Sequence, residues 1–227
     1  MHKAIIFDID NTLIDFVDTK NAVIAESVKA MVDAGIAQDV EHLQEKFSQF
    51  YWKVGIEDQK IFQKFLSQEF GTIEYRVLAH AIIAYRKAKN GLLRPYPGTK
   101  RTLIALKAMG LQLAILSDAP KLEAYIRLCQ VGIDDFFDLI VTIDDTHALK
   151  PAAKGFQLLT QKLQVLPADC IMIGDMPHKD VLGAKRLGMT TIFAAYGHKK
   201  PVQRHGADFV VHNVLEIVDV VQNLNKI

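Results

Sequence analysis

The sequence predicts an α/β fold, in which a parallel sheet is covered by helices on both faces and an all-helical segment is inserted near the start. Three observations support this prediction. Short apolar runs alternate with helical segments from residue 98 onward, the N-terminal segment KAIIFDID has the same strand character, and residues 18–90 contain no comparable strand pattern. Strands and helices that alternate in this way are typical of a parallel sheet buried on both faces.

The first predicted strand lies in KAIIFDID, and each later strand is also a short, β-branched apolar run. The later strands are LQLAILSD (111–118), FDLIVTI (137–143), CIMIGD (170–175), TTIFAA (190–195) and ADFVVH. The helices between them are expected near residues 119–130, 152–164 and 178–187, with a closing helix near 213–224. This order predicts one continuous parallel sheet.

The insert is predicted to contain four helices, because four apolar stripes repeat at helical spacing. The stripes are Ile24, Val28 and Met31; Leu43, Phe47, Phe50, Tyr51 and Val54; Ile61, Phe65 and Leu66; and Ile73, Val77, Ala81, Ala84 and Tyr85. Asp39 and Asp58 are the expected N-caps, and Gly35, Gly71 and Gly91 the expected helix ends. The segment LRPYPG then ends the insert. We expect a core domain of residues 1–16 and 93–227 and an inserted domain of residues 17–92.

Composition and charge exclude several function classes. With 27 basic and 26 acidic residues the net charge is +1, so no global charge favours nucleic acid or an anionic membrane. The chain shows no leader and no apolar stretch of membrane-spanning length. Cys129 and Cys170 are far apart and lack metal-ligand spacing. We therefore expect a cytoplasmic monomer or homodimer that binds neither nucleic acid nor membrane.

Polar residues follow four of the predicted strands. Asp8 and Asp10 end the first strand, Ser117 the second, Lys150 follows the third, and Asp175 and Asp180 follow the fourth. Because the carboxyl ends of parallel strands form one edge, these side chains are expected to converge there. Asp8 and Asp10 would each raise the other's pKa unless a positive charge offset the repulsion. Carboxylates without histidine or cysteine suit Mg²⁺, and a lysine with a hydroxyl donor suits phosphate.

Four motifs, taken in order, resemble those of the haloacid dehalogenase superfamily, in its phosphatase form. FDIDNT resembles its DxDxT opening, LSD its second motif, LKP its lysine motif, and IGDMPHKD its GD-x4-D acidic motif. The resemblance spans residues 4 to about 195. It implies a Rossmann-like three-layer core, and it implies that the helical insert is a cap domain placed between the first and second motifs.

The same resemblance implies a Mg²⁺-dependent phosphatase that acts on a small phosphorylated metabolite through an aspartyl-phosphate. Asp8 would be the nucleophile. Asp10 would protonate the leaving oxygen and later accept a proton from the attacking water. Lys150 would neutralise the phosphoryl group and Asp8 together.

The binding residues are likewise implied by the resemblance. Mg²⁺ would be held by Asp8, by the backbone carbonyl of Asp10 and by Asp175, with Asp180 behind these ligands. The expected phosphate-binding residues are Thr12, Ser117, Asp118 and Lys150. Thr12 would also fix the loop that carries Asp10. The carboxylate of Asp118 would either tighten metal binding or repel acidic substrates, and the sequence leaves both readings open.

Two other functions remain open at the level of sequence. A sugar-phosphate mutase would use the same core residues. A non-catalytic module that binds a phosphorylated metabolite or a partner protein would keep the fold. Asp8, Asp10, Lys150 and Asp175 are all present, which favours an enzyme, and an aspartate at position 10 favours phosphoryl transfer over dehalogenation.

Overall fold

The computed structural model describes residues 1–55, 58–198 and 200–226, and the chain divides into two compact units. One unit comprises Met1–Asp15 and Arg94–Ile227 and contains the sheet. The other comprises Phe16–Leu93 and is helical in its regular structure. No helix in the described part of the chain is both long enough and apolar enough to cross a lipid bilayer.

Within the described residues six parallel strands form a single sheet, which confirms the predicted fold class. The strands are β1 (Ala4–Phe7), β2 (Gln112–Leu116), β3 (Leu139–Val141), β4 (Cys170–Gly174), β5 (Thr190–Ala194) and β6 (Phe209–Val211). Their order across the sheet is β3-β2-β1-β4-β5-β6. The first strand is therefore central, so residues that follow it lie between the carboxyl ends of β2 and β4.

Ten α-helices are present among the described residues. In the helical unit they are α1 (Phe16–Asp33), α2 (Val40–Val54), α3 (Ile61–Phe70) and α4 (Tyr75–Leu92). In the unit with the sheet they are α5 (Thr99–Ala108), α6 (Lys121–Val131), α7 (Ile143–Thr146), α8 (Ala153–Leu163), α9 (Leu182–Lys185) and α10 (Glu216–Asn225). The helix α5 was not among the predicted elements.

Both faces of the sheet are buried. On one face, Ile6 and Met172 belong to one apolar cluster with Phe156 of α8. The residues that alternate with them, such as Ile5 and Ile171, are also fully buried. Since neighbouring residues of a strand point to opposite faces, burial of both sets explains why β1 and β4 are continuous apolar runs.

The helical unit has an aromatic core of its own. Phe47 of α2 lies at its centre, fully buried, with its ring 5.2 Å from that of Phe62 and 4.8 Å from that of Phe65. The ring of Tyr51 is 6.0 Å away, edge-on. These separations are those of favourable aromatic pairs. The aromatic stripe that periodicity identified is therefore core packing.

One buried cation in this core was not recognised from the sequence. Lys20 of α1 is 5% exposed and donates hydrogen bonds to the hydroxyls of Tyr51 and Tyr85, at 3.0 and 2.9 Å. Its ammonium also lies over the Phe16 ring, 5.1 Å from the centroid. Cation–π contacts and two phenol oxygens thus take the place of water around this charge.

Several predicted helix ends differ from those observed. Asp39 is the N-cap of α2 and accepts from the His42 N–H, as predicted. Asp58 is not the N-cap of α3, because that helix begins only at Ile61 and Asp58 accepts from the Lys60 N–H instead. Gly91 does not end α4, which continues through Leu92. Residue propensities were not sufficient to predict these helix ends. A single glycine, for example, destabilises a helix by only about 1 kcal/mol relative to alanine, so a helix can continue past it.

The predicted helix near residues 178–187 is also interrupted. A π-helical turn, Pro177–Val181, precedes the short helix α9. A π-turn widens the helix locally and is frequent at functional sites. Here it carries Asp180 to the carboxyl end of β4.

Truncation of Phe47 tests the independence of the helical core. Phe47→Ala is expected to lower the free energy of unfolding of this unit by about 3–5 kcal/mol, because it leaves a cavity among three rings. Urea denaturation followed by the fluorescence of Trp52, the single tryptophan and a residue of α2, measures the change. Ile83→Ala, at a side chain 51% exposed, is the control and should cost less than about 1 kcal/mol. Equal losses in both variants would contradict this description of the core.

Candidate active site

The carboxyl end of β1 places two aspartates in a tightly hydrogen-bonded loop. Asp8 is 7% exposed, and its N–H donates to the Ile173 carbonyl of β4 at 2.9 Å, which extends the strand pairing by one residue. The loop then turns at Asn11, whose φ of 55° is left-handed. The Ile9 carbonyl accepts from the N–H of Leu13 at 2.9 Å. The backbone that carries Asp8 and Asp10 is therefore fixed by the sheet and by its own turn.

Lys150 connects two of the predicted carboxylates. Its ammonium lies 2.6 Å from Asp8 Oδ1 and 2.7 Å from Asp180 Oδ1, and it donates to the Leu116 carbonyl at 3.1 Å. The side chain is buried. The ammonium thus donates two hydrogen bonds and forms an ion pair with a third oxygen, so both neighbouring carboxylates share its charge.

Asp175 and Asp180 complete a cluster of acids at the end of β4. Carboxylate oxygens of Asp8, Asp175 and Asp180 all lie within 4.8 Å of one another, and all three residues are buried. Asp180 Oδ2 accepts from the Met176 N–H at 3.0 Å, so the π-turn holds this carboxylate. Gly174 leaves room for it, since a Cβ there would lie 2.2 Å from Asp180 Oδ2. No group of three such residues with this spacing occurs elsewhere in the described part of the chain.

Burial and mutual repulsion shift the ionisation of the cluster. Burial raises the pKa of Asp8 to about 6, although the Lys150 ammonium opposes the shift. Burial, followed by the charges of Asp8 and Asp180, raises the pKa of Asp175 to about 8. Burial alone would lower the pKa of Lys150, but the carboxylates of Asp180 and Asp8 outweigh it and raise that pKa. Without a further cation the cluster therefore binds protons near neutral pH.

The predicted phosphate-binding residues have different surroundings. Ser117 is buried at the end of β2, and its Oγ accepts from the Ala119 N–H at 3.1 Å. Thr12 Oγ1 is buried and has no hydrogen-bond partner among the described residues. Both hydroxyls can donate to a ligand. Asp118 instead accepts from the Lys150 N–H and pairs with Lys179, at 2.9 and 2.8 Å, so its charge is already offset.

Two residues near the site were missed by sequence reasoning. Arg127 of α6 is 2% exposed, and its Nη1 donates to Asp10 Oδ2 at 2.6 Å. His198 donates from Nε2 to the backbone carbonyl of Asp175. The signal for Arg127 was its position between Ala124, Leu128 and Val131, the buried residues of α6, where a charge is unexpected. No comparable signal marks His198.

Comparisons with known proteins agree with this architecture. A family model described as haloacid dehalogenase-like hydrolase matches residues 2–188. The glyceraldehyde 3-phosphate phosphatase of Methanocaldococcus jannaschii is 32% identical over 227 residues, covering 100% of both chains. That of Methanopyrus kandleri is 28% identical, again over 100% of both chains. The crystal structure of a HAD phosphatase from Thermococcus onnurineus has a TM-score of 0.68 at 24% identity, and the alignment covers 96% of this chain and 97% of that one.

The raised pKa values predict an unusual pH dependence of stability for protein kept in EDTA. In the unfolded chain both groups ionise near pH 3.8, whereas in the folded protein they ionise at about 6 and about 8. The folded state therefore binds more protons between pH 4 and 8, and these groups lower the free energy of unfolding as pH rises through that window. Asp175→Asn should reduce this fall, while Asp219→Asn, at an exposed aspartate, should not. Denaturant titrations from pH 5 to 8.5 measure the difference, and identical slopes for all three proteins would refute it.

Proposed function

The chain belongs to the haloacid dehalogenase-like hydrolase family, and we propose that it hydrolyses a small phosphate monoester through an aspartyl-phosphate on Asp8. The prediction of a phosphoric monoester hydrolase is confirmed by the family match and by the full-length relatives. The proposed mechanism rests on one observation, the contact of Lys150 with Asp8 and Asp180 at 2.6 and 2.7 Å in a buried cluster of acids.

In the first step a carboxylate oxygen of Asp8 attacks phosphorus, and the bond between phosphorus and the ester oxygen breaks. Asp10 donates its proton to that oxygen, so the product leaves as a neutral alcohol. In the second step a water molecule attacks the aspartyl-phosphate, and Asp10, now a carboxylate, accepts the proton. Inorganic phosphate leaves and Asp8 is regenerated. The aspartyl-phosphate on Asp8 divides one difficult hydrolysis into two easier steps, and Asp10 serves as the acid in the first and as the base in the second.

The remaining polar groups would stabilise charge on the phosphoryl oxygens. Lys150 lies next to Asp8, so its ammonium would offset the repulsion between that nucleophile and an anionic phosphate. The hydroxyls of Ser117 and Thr12 are buried and can donate hydrogen bonds. Asp118 would act indirectly, since it accepts from the N–H of Lys150 and so holds that residue in place.

The donor set fits a magnesium ion. Asp8, Asp175 and Asp180 offer only carboxylate oxygens, and the buried cation Lys150 contacts two of them, so three acids stand against one ammonium. Full ionisation would leave two uncompensated negative charges, which one divalent cation matches. We propose Asp8, Asp175 and the carbonyl of Asp10 as its protein ligands, with Asp180 behind them. Bound there, Mg²⁺ would withdraw electrons from the phosphoryl group and offset the charge of the nucleophile.

Glyceraldehyde 3-phosphate is the proposed substrate. The relatives that carry this activity in their names align over the whole chain, including the helical unit, in which specificity would reside. We propose that residues 17–92 are the cap domain, because the chain enters them directly after the loop of Asp8 and Asp10. Two unpaired cysteines, Cys129 and Cys170, agree with the proposed reducing, cytoplasmic location.

Phosphate release from glyceraldehyde 3-phosphate, phosphoglycolate and p-nitrophenyl phosphate tests the proposal. Wild type should release phosphate from glyceraldehyde 3-phosphate with the highest kcat/KM, and Asp8→Asn should lose about 10³-fold or more because it cannot form the aspartyl-phosphate. Asp219→Asn is the matched control. Retained turnover by a folded Asp8→Asn protein would refute the mechanism, and faster hydrolysis of phosphoglycolate would refute the substrate.

Removal of the metal gives a separate test. Because Mg²⁺ would bind only the folded state, it should raise the free energy of unfolding of the wild type by about 2.7 kcal/mol at a concentration 100 times its Kd, and the Tm should rise with it. The shift should be larger at pH 8 than at pH 5, because protons compete for Asp175 below its raised pKa. Asp175→Asn should lose the shift, and EDTA should abolish turnover. An equal Tm shift in Asp175→Asn would exclude this ligand set.

A further inference from the structure

Arg127 contacts one of the two carboxylates in the loop after β1. The residue belongs to α6, and its Nη1 donates to Asp10 Oδ2 at 2.6 Å. Its side chain is 2% exposed, whereas that of Asp10 is 24% exposed. Their separation of 117 residues along the chain means that the contact exists only in the folded sheet. A bond of this length between charged groups is strong and directional.

Stability alone does not explain an arginine at this position. Its neighbours on the buried side of α6 are Ala124, Leu128 and Val131, and an apolar residue of similar size would complete that surface. Burying a guanidinium costs several kcal/mol of lost hydration, and an ion pair often recovers no more than that. The pair with Asp10 therefore calls for a role beyond the packing of α6.

The contact restricts the rotation of the Asp10 carboxyl group. Hydrogen bonds to Ile9 and the left-handed Asn11 hold the backbone of the loop. The Arg127 donor acts on the side chain itself, because a bond at Oδ2 restricts the torsions of Asp10 and so determines where its other oxygen lies. Asp8 is oriented in the same manner by Lys150. Each aspartate of the loop thus has its own buried cation.

We propose that Arg127 is a positioning residue that holds the carboxyl group of Asp10 in the orientation needed for proton transfer to the leaving oxygen. The proposal rests on the acid role of Asp10 in the proposed function. Proton transfer requires a donor held within about 0.5 Å and 10–20° of the productive geometry. A carboxyl group on a loop meets that requirement only when another group holds it in place. The buried guanidinium of Arg127, bonded to Oδ2, holds the carboxyl group of Asp10 in this way.

The first test compares two leaving groups in single-turnover formation of the aspartyl-phosphate. An alkyl phosphate such as glycerol 3-phosphate needs a proton on its leaving oxygen, whereas p-nitrophenyl phosphate releases a stable phenolate. Arg127→Met should slow alcohol release from glycerol 3-phosphate by about 10²-fold and change nitrophenol release by less than about threefold. Arg186→Met, at an exposed arginine, should alter neither rate. Equal losses on both substrates would mean that Arg127 is merely structural and would overturn the proposal.

The second test is a double-mutant cycle with Asp10→Asn. If Arg127 acts through Asp10, adding Arg127→Met to Asp10→Asn should slow alcohol release by less than about threefold further. Multiplicative losses would overturn the proposal. An Asp10→Asn protein with an unchanged rate would overturn the acid role itself, and the proposal with it. A slow Asp10→Asn protein beside an unaffected Arg127→Met protein would refute the proposal alone.

A third variant covers the case in which Arg127→Met does not fold. Arg127→Lys keeps the buried positive charge but places a single point donor where the guanidinium had a planar fork. It should slow release from glycerol 3-phosphate more than release from p-nitrophenyl phosphate, as the methionine variant should. The same rate ratio as in wild type would overturn the proposal.

Discussion

Repulsion among three buried carboxylates is the constraint on which the site depends. Asp8 follows the central strand, and Asp175 and Asp180 follow its neighbour, so the parallel pairing of β1 with β4 brings like charges together in a buried place. Water cannot screen them there, and their interaction is several times stronger than at the surface. Lys150 contacts Asp8 and Asp180 and offsets part of their charge, and Arg127 contacts Asp10 in the same loop. The proposed divalent ion would offset the remaining negative charge.

Small residues and unusual turns make this crowding sterically possible. Gly174 ends β4 where a Cβ would collide with Asp180, and a Cβ on Gly197 would lie 2.3 Å from the carbonyl of Asn11. Asn11 itself adopts the left-handed conformation that lets the loop turn directly after Asp10. The π-turn at Pro177–Val181 advances Asp180 toward the sheet. The backbone conformations of three separate loops therefore allow the same cluster of acids to form. Substitutions at these glycines would disturb the acids before they disturbed the fold.

The sheet and the acids were predictable because their signals are local. Apolar runs that are buried on both faces cannot be confused with solvated segments, and polar residues at their carboxyl ends must meet at one edge. Helix α5 was missed because most apolar residues of its sequence, TKRTLIALKA, form one short run at 103–106, which shows no helical periodicity. Arg127 and Lys20 were missed because a charged residue in a helix is ordinarily exposed to solvent. Only its position on the same side of the helix as the buried apolar residues indicates that it is buried. The contact of Lys150 with Asp180 depends on the side-chain geometry of two loops, and the spacing of residues in the sequence does not predict that geometry.

The link between the buried cations and the acids also explains why apolar residues do not take the place of these cations. An apolar residue in place of Arg127 or Lys150 would remove a desolvation cost, yet it would leave a carboxylate without its counter-charge. The carboxylate would then bind a proton, as the raised pKa values of Asp8 and Asp175 already show. A protonated Asp8 could not act as the proposed nucleophile, and a protonated cluster could not hold the proposed metal. Ionisation of the acids and retention of the cations are therefore linked, so selection for either would maintain both.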